Sequence, residues 1–239
     1  MIYDVSIILC TINEIDTLPQ VVKKIEEGVN FSYQIVFVDD ASRDGTREFI
    51  KNYSKAHGNT EVVFNESKKS LLIANKQGIS RAAGRFIVVL DADLQHPVER
   101  INDIVTKLED GYDIVVASRY APGGSTGNRK PVRGLISRVA TMMAKLFIES
   151  SRKTTDPLSG FFGFRKEMKL NIDERWRGYK TLLFLIASNP GAKIGDVPYV
   201  FMERDVGKSK IVSGSDFIMT YLTELVLIKR VEIRARNGG

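Results

Sequence analysis

The chain has 239 residues, 43% of them hydrophobic and 27% charged, proportions of a globular protein long enough to bury a full core as one elaborated domain. A single cysteine, Cys10, excludes an internal disulfide framework and favours a reducing compartment. The first residues lack the basic and apolar regions of a secretory signal, and no apolar run approaches the roughly 18 residues that span a bilayer. The net charge of +6 is uneven: residues 125–180 hold 13 Lys or Arg against 5 Asp or Glu, an excess of +8, and the rest carries −2. That concentration points to an anionic partner: phosphate groups, an acidic membrane surface or nucleic acid.

Short apolar runs alternate with helical periodicity through the first half. Val5–Leu9 reads as a strand, Leu18–Glu27 as a helix, Gln34–Val38 as a strand, Thr46–His57 as a helix and Glu61–Phe64 as a strand. Ile73–Ala83 then reads as a helix, Phe86–Leu90 as a strand, Val98–Glu109 as a helix and Asp113–Ala117 as a strand. Apolar strands alternating with helices imply a mostly parallel sheet covered on both faces, with ligands beyond the carboxyl ends of the strands. Polar residues fall at those ends: Asn13 and Glu14 after the first strand, Asp39 and Asp40 after the second, Asp91 after the fourth. Residues 121–133, rich in Gly, Pro and basic side chains, read as a mobile loop near a ligand. Two helical patterns follow, Leu135, Ile136, Val139, Met143, Leu146 and Phe147, then Phe217, Ile218, Tyr221, Leu222, Leu225 and Val226. Packing on the core is the default for each, and their basic neighbours keep a membrane-interface position open.

The stretch Asp91-Ala92-Asp93-Leu94-Gln95-His96-Pro97 passes abruptly from hydrocarbon to carboxylate. In an extended chain Asp91, Asp93 and Gln95 project to one side, an all-oxygen set of the kind that Mg²⁺ or Mn²⁺ accepts alongside substrate phosphates. The same residues also suit a plain strand-to-helix turn, with Asp93 or His96 near a helix start and Pro97 in its first turn.

The order of further motifs separates these readings. Thr11-Ile12-Asn13-Glu14, Val38-Asp39-Asp40-Ala41-Ser42, Asp44-Gly45-Thr46, the Asp91 cluster, Ser118-Arg119-Tyr120, Arg133 with Ile136-Ser137-Arg138, Asp156 to Phe162, Tyr179-Lys180, and Arg204 with Gly207-Lys208-Ser209-Lys210 follow one another. Together they resemble the inverting GT-A-type glycosyltransferases of family 2, and within them the dolichol-phosphate mannose synthases, from about Val5 to Leu227. The resemblance implies an α/β GT-A fold, a Rossmann-like, mostly parallel sheet flanked by helices, with amphipathic helices in the C-terminal half. It implies one catalytic domain over 1–239, in which 1–120 binds the nucleotide sugar and 121–239 the acceptor near a membrane.

Carried over residue by residue, the resemblance puts Cys10, Ile12, Glu14, Val38, Asp39 and Asp40 around the base and ribose. It puts Asp91 and Ala92 at the donor, Asp93 and Gln95 on a Mg²⁺ or Mn²⁺ ion that bridges the diphosphate, and Lys180, Arg204 and Lys210 around diphosphate and sugar. Arg119 and Arg133 grip the acceptor phosphate. The catalytic set is then Asp91, Asp93, Arg119 and Arg133. Where many relatives have Pro and Tyr this chain has Cys10 and Ile12, and their glycine-rich turn before the third helix is here Ser70-Leu71-Leu72.

The expected reaction is transfer of mannose from GDP-mannose to a polyprenyl phosphate on the cytoplasmic face of a membrane, by a peripheral enzyme that reaches lipid through amphipathic helices or a membrane-protein partner. A monoester phosphate with a second pKa near about 6 is already ionised at neutral pH and needs no general base, which suits a chain with only two histidines, His57 and His96. The competing readings are a UDP-sugar-dependent glucosyl or aminosugar transferase, a metal-dependent nucleotidyltransferase, and a basic nucleic-acid-binding module. Arg119 and Arg133 argue against the second, and the lack of a nucleic-acid-binding motif against the third.

Overall fold

A computed structural model describes residues 3–127, 131–173, 176, 178–202 and 215–238, with backbone only for 131–133 and 215–218. Among the described residues seven strands form one sheet in the order β3-β2-β1-β4-β6-β5-β7. The strands are β1 (Val5–Thr11), β2 (Tyr33–Asp40), β3 (Thr60–Asn65), β4 (Phe86–Asp91), β5 (Ile114–Ser118), β6 (Phe162–Arg165) and β7 (Ile194–Pro198). All pair in parallel except β6, which runs antiparallel between β4 and β5. All five expected strands and the four expected helices form: α1 (Leu18–Gly28), α2 (Thr46–Ala56), α3 (Leu71–Arg81) and α4 (Arg100–Glu109). The additions lie in the second half: α5 (Pro131–Phe147), a 3₁₀ turn (Glu149–Lys153), β6, α6 (Thr181–Ser188), β7 and α7 (Ser215–Arg236).

β1 is central because both of its faces and both of its edges are covered. Its Val5, Ile7, Ile8 and Leu9 have no exposed surface, each contributing about 1.5–3 kcal/mol by burial, which explains a continuous apolar run in place of alternation. On one face Ile7 and Leu9 pack with α1 and α4 residues such as Val21, Ile25 and Ile104; on the other Ile8 joins Val36, Val89 and Leu185. α6 reads Thr-Leu-Leu-Phe-Leu-Ile-Ala-Ser, and every residue of it is buried. A helix buried all round has no amphipathic stripe for the sequence to show.

The expectation that α5 packs on the core through its apolar residues is corrected. Met143 and Ala144 turn inward, but Leu135, Ile136, Val139, Leu146 and Phe147 are exposed, as is Met142. In α7 the default holds for Tyr221 and Leu225, which bury with Ile228 and Val231 against α3, α5 and α6; Leu222 is half-buried, Val226 is exposed, and the side chains of Phe217 and Ile218 lie outside the described residues. Of residues 121–133, Ser125 bridges to Val200 beside the sheet.

The chain runs outward from β1 through β2 to β3, and β4 then returns to the other side of β1. That reversal places a crevice at the carboxyl ends of β1 and β4, the expected ligand position in an open α/β sheet. Cys10 is in register with Val38 on one side and Asp91 on the other.

Candidate active site

Among the described residues three non-glycine residues adopt left-handed backbone, Asn13 (φ 52°), Ala41 (φ 65°) and Leu94 (φ 60°), and each lies just past the end of β1, β2 or β4. Such conformations cost on the order of 1–3 kcal/mol each and cluster at ligand sites. Here hydrogen bonds between neighbouring loops hold them. Asn13 N donates to Ser42 Oγ (2.9 Å), and Arg43 N donates to Asn13 Oδ1 (2.8 Å). Glu14 N donates to Thr46 Oγ1 (3.0 Å) and Ile15 N to Asp44 Oδ2 (3.1 Å). The first two loops thus form one rim.

The expected nucleotide-binding residues divide into two groups on this rim. Val38 and Asp39 have no exposed surface. Asp39 accepts from Thr11 Oγ1 (3.4 Å), Ser42 N (3.1 Å) and Arg47 Nε (2.7 Å), so its carboxylate serves the scaffold. Asp40 ties down the segment before α3 by accepting from Lys69 N (2.8 Å) and Asn65 Nδ2 (3.2 Å). Cys10 Sγ donates to Asn75 Oδ1 (3.1 Å), and Asn75 Nδ2 donates to Thr181 Oγ1 (2.9 Å), a buried relay from β1 to α6. Burial, reinforced by the nearby Asp91 and Asp40 charges, raises the Cys10 pKa well above its ordinary value, so the thiol stays neutral and acts as a donor. Ile12 and Glu14 are half-buried at the rim.

β4 ends at Asp91 and the chain then bends, with Leu94 left-handed. The expectation that extended backbone carries Asp91, Asp93 and Gln95 to one side is therefore corrected: the alternation stops at Asp91. The turn ties Asp93 to Gln95. Asp93, nearly buried, accepts from Gln95 N at 3.1 Å. The Gln95 side-chain amide donates to Met202 O at 3.2 Å. Ala92 is buried, and its carbonyl accepts from Thr17 Oγ1 at 2.8 Å. Asp91 keeps 44% of its side-chain surface exposed, and Oδ2 lies 3.6 Å from Nε2 of the buried His96. His96 packs against Phe161, Tyr199 and Phe201, a supporting position beneath the turn. A β-carbon on Gly160 would sit 3.2 Å from Asp91 Oδ2, so the glycine leaves room for the carboxylate. Among the described residues no three His, Cys, Asp or Glu side chains converge on one point. A short all-oxygen set such as Asp93 and Gln95 suits a hard divalent cation whose sphere is completed by water and phosphate oxygens.

Arg119 follows β5 and is nearly buried. Its Nε and Nη2 donate to the two oxygens of the fully buried Asp156 (2.7 and 2.9 Å), and its backbone N adds a third bond (3.2 Å). Burial opposes the charge, but Asp156 prevails and holds the guanidinium pKa above its usual value. Lys180 immediately precedes α6, its ammonium over the rings of Tyr179 (4.9 Å) and Tyr221 (5.9 Å). Desolvation lowers its pKa to about 8, with Glu224, Arg119, Asp156 and Asp91 all in electrostatic range. Arg133 lies in the first turn of α5 with its side chain outside the described residues, and Arg204 and Lys210 also lie outside them. The structure therefore gathers Cys10, Asp40, Asp91, Asp93, Gln95, Arg119 and Lys180 at one end of the sheet. Sequence reasoning passed over Asn75, Thr181 and Glu224. A lone carboxylate on the apolar stripe Tyr221, Leu225, Ile228 is the signal that finds Glu224.

Comparison with known proteins agrees with this geometry. Residues 6–170 match the family described as Glycosyl transferase family 2. The chain is 34% identical over 229 residues to the dolichol-phosphate mannosyltransferase of Pyrococcus furiosus, covering 95% of this chain and 64% of that protein. It is 34% identical over 228 residues to the Saccharomyces cerevisiae protein of the same name, covering 92% and 80%. The chain thus spans slightly less than two thirds of the archaeal relative's length. Among solved structures, glucosyl-3-phosphoglycerate synthase from Mycobacterium tuberculosis, crystallised with uridine diphosphate, shares the fold with a TM-score of 0.66 at 19% identity, over 95% of this chain and 80% of that one. The sheet with its one antiparallel strand, the loops joined around its switch point and the match over residues 6–170 lead to one assignment: the chain belongs to glycosyl transferase family 2.

Proposed function

We propose that the chain transfers mannose from GDP-mannose to a polyprenyl, such as dolichyl, phosphate, with inversion at the anomeric carbon. The observation that carries this reading is the 34% identity, over more than nine tenths of the chain, to two proteins named dolichol-phosphate mannosyltransferase. The Asp91 cluster at the switch point supplies the chemistry that fits it. Asp93 and Gln95 would hold the metal, Mg²⁺ or Mn²⁺, which when bound stabilises negative charge on the departing diphosphate.

The chain's own residues do the remaining work. Asp91, open at the rim, contacts the donor. Cys10, Ile12, Glu14 and Asp40 line the nucleotide end, while Val38, Asp39 and Ala92 hold its backbone in place. Lys180 adds positive charge beside the diphosphate, together with Arg204 and Lys210. Arg119 and Arg133 orient the acceptor phosphate, whose dianion attacks without a base. Arg119 acts with Nε and Nη2 fixed on Asp156, so the guanidinium plane is set before substrate arrives.

The lipid acceptor accounts for the exposed apolar face of α5. Leu135, Val139, Met142 and Leu146 follow one another on one side, 44–70% exposed, with Arg138 and Lys145 between them. No described helix is long and apolar enough to cross a membrane; the contact proposed for α5 is peripheral, on the cytoplasmic face, with lipid or a membrane-protein partner. Incubation with radiolabelled GDP-mannose or UDP-glucose, a short polyprenyl phosphate and Mn²⁺ tests the reading. Lipid product from GDP-mannose is expected, and product only from UDP-glucose would refute it. Asp93→Ala is expected to abolish metal-dependent turnover; full activity in that variant removes Asp93 from the metal site.

A further inference from the structure

The turn before α6 is built around a carboxylate from another helix. Glu224 of α7 is 2% exposed, and its Oε1 accepts from Tyr179 N at 3.1 Å; the backbone of Lys180 is a second donor to it. A β-carbon on Gly178 would lie 1.7 Å from Oε1, so no other residue type fits the turn while Glu224 stays in place. The second oxygen, Oε2, is buried without a hydrogen-bond partner among the described residues. A buried carboxylate with one oxygen unsatisfied is costly, and its buried neighbours on α7, Tyr221, Leu225 and Ile228, form an otherwise uncharged stripe.

Lys180 is the counterpart. Its ammonium makes no ion pair with a carboxylate among the described residues and sits over Tyr179 and Tyr221, in electrostatic range of Asp91, Arg119 and Asp156. Glu224 is therefore close enough to favour the charged form of Lys180 without neutralising it through contact.

We propose that Glu224 is the positioning residue for Lys180: from α7 it fixes the backbone of 179–180 and supplies the negative potential that keeps this ammonium charged and available to an anionic ligand. The inference rests on the reading of Lys180 as a contact to the donor diphosphate. Desolvation lowers the Lys180 pKa to about 8 and raises that of Glu224 to about 7, each partly offset by the other. Among the described residues the other groups facing Glu224 are the phenols of Tyr179 and Tyr221, whose pKa values rise through burial and then through Glu224 itself. Charged Lys180 is the active form, so activity falls as pH rises through its pKa, and removing the Glu224 charge moves that fall to lower pH.

The test is donor kinetics with GDP-mannose, polyprenyl phosphate and Mn²⁺ from pH 6 to 9.5 for wild type, Glu224→Gln and Lys180→Met, with GDP binding measured by calorimetry. A one-unit drop in the Lys180 pKa cuts its charged fraction at pH 8 about fivefold. Glu224→Gln is expected to raise donor KM about fivefold at that pH, to change kcat less than about twofold, and to move the alkaline limb of kcat/KM down by about one unit. A merely structural role does not move that limb. Raised donor KM in Lys180→Met with an unchanged limb and KM in Glu224→Gln overturns the inference alone. Unchanged donor KM in Lys180→Met overturns the donor-contact reading and the inference with it. Should Glu224→Gln not fold, Glu224→Asp keeps the charge but withdraws it by one methylene. It is then expected to raise donor KM and to move the alkaline limb down by less than about one unit, and an unchanged limb overturns the inference.

Discussion

Replacing Asp156 by Asn tests whether the proposed acceptor side of the site is preset by a buried ion pair. Asp156 has no exposed surface and Arg119 is 8% exposed, so solvent screens their attraction poorly. Both carboxylate oxygens are used: Oδ2 by Arg119 Nε at 2.7 Å and by the backbone N at 3.2 Å, Oδ1 by Nη2 at 2.9 Å. Asparagine keeps one acceptor, turns a donor toward the guanidinium and leaves that charge buried without its counterion. Removing one partner of such a pair costs about 3–5 kcal/mol. For a chain of this size each kcal/mol moves Tm by about 2–4 °C, so a fall of about 6–20 °C is expected. Urea unfolding followed by circular dichroism, with wild type and Asp156→Asn in parallel, measures the difference directly. A loss below about 1 kcal/mol, the range of an exposed salt bridge, would refute the argument that burial makes this pair strong. The double replacement Arg119→Met with Asp156→Leu removes both charges and is expected to recover most of the loss. It is also expected to lose acceptor use, separating the stability of the pair from its chemistry.

Gly178→Ala places a methyl group against Glu224 Oε1 and is expected to cost about 1–3 kcal/mol as overpacking; thermal unfolding at wild-type Tm would show that the turn has room. Glu224 has a folded pKa of about 7 against 4.5, a raised value, so its contribution is complete below pH 4.5 and is lost as pH rises toward 7. At about 1.36 kcal/mol per unit, the stability of Glu224→Gln relative to wild type should rise by up to about 3 kcal/mol between pH 4.5 and 8 in urea titrations. Parallel curves contradict this. Glu232 shows the opposite sign. Burial works against its charge, but bonds from Lys229 and from Ser150 N and Oγ (both 2.7 Å) hold its pKa below 4.5. Ser150→Ala is therefore expected to cost about 1.5–3 kcal/mol at pH 7, and the cost should fade as pH falls through the depressed pKa. A cost that persists undiminished at pH 3 removes the charge from the explanation.

How much of the fold was legible follows from burial. β1, β2, β4 and β5 announce themselves because a central parallel strand is apolar throughout, and α1, α2 and α4 because each buries one stripe, such as Leu18, Val21, Val22 and Ile25 in α1. β6 escaped because four residues, Phe-Gly-Phe-Arg, are too short to carry a period. β7, an edge strand, carries Gly195 and Pro198, residues that usually punctuate strands. α5 was legible as a helix but not in its orientation. Its outward face, Leu135, Val139, Met142 and Leu146, is as apolar as a core face, and periodicity reports that a stripe exists without saying what covers it.

The site was legible for a related reason. Carboxylates where an apolar strand ends cannot be core, so Asp40 and Asp91 mark the rim before any coordinates do. Asp39 shows the limit of that inference, since an acidic pair at a strand end contains one residue for each side of the sheet, and here Arg47 claims Asp39 for the scaffold. Extended geometry does not describe the backbone around Asp93: the left-handed Leu94, not strand alternation, turns the chain there. Glu224 lay furthest from reach, because its partners, Tyr179 and Lys180, are 45 and 44 positions away and meet it only once α6 and α7 are packed. Local pattern can name candidate groups at the rim of the site. The groups that hold those in place are defined by tertiary contact, and a charge on an otherwise apolar helix face is the trace such a group leaves in the sequence.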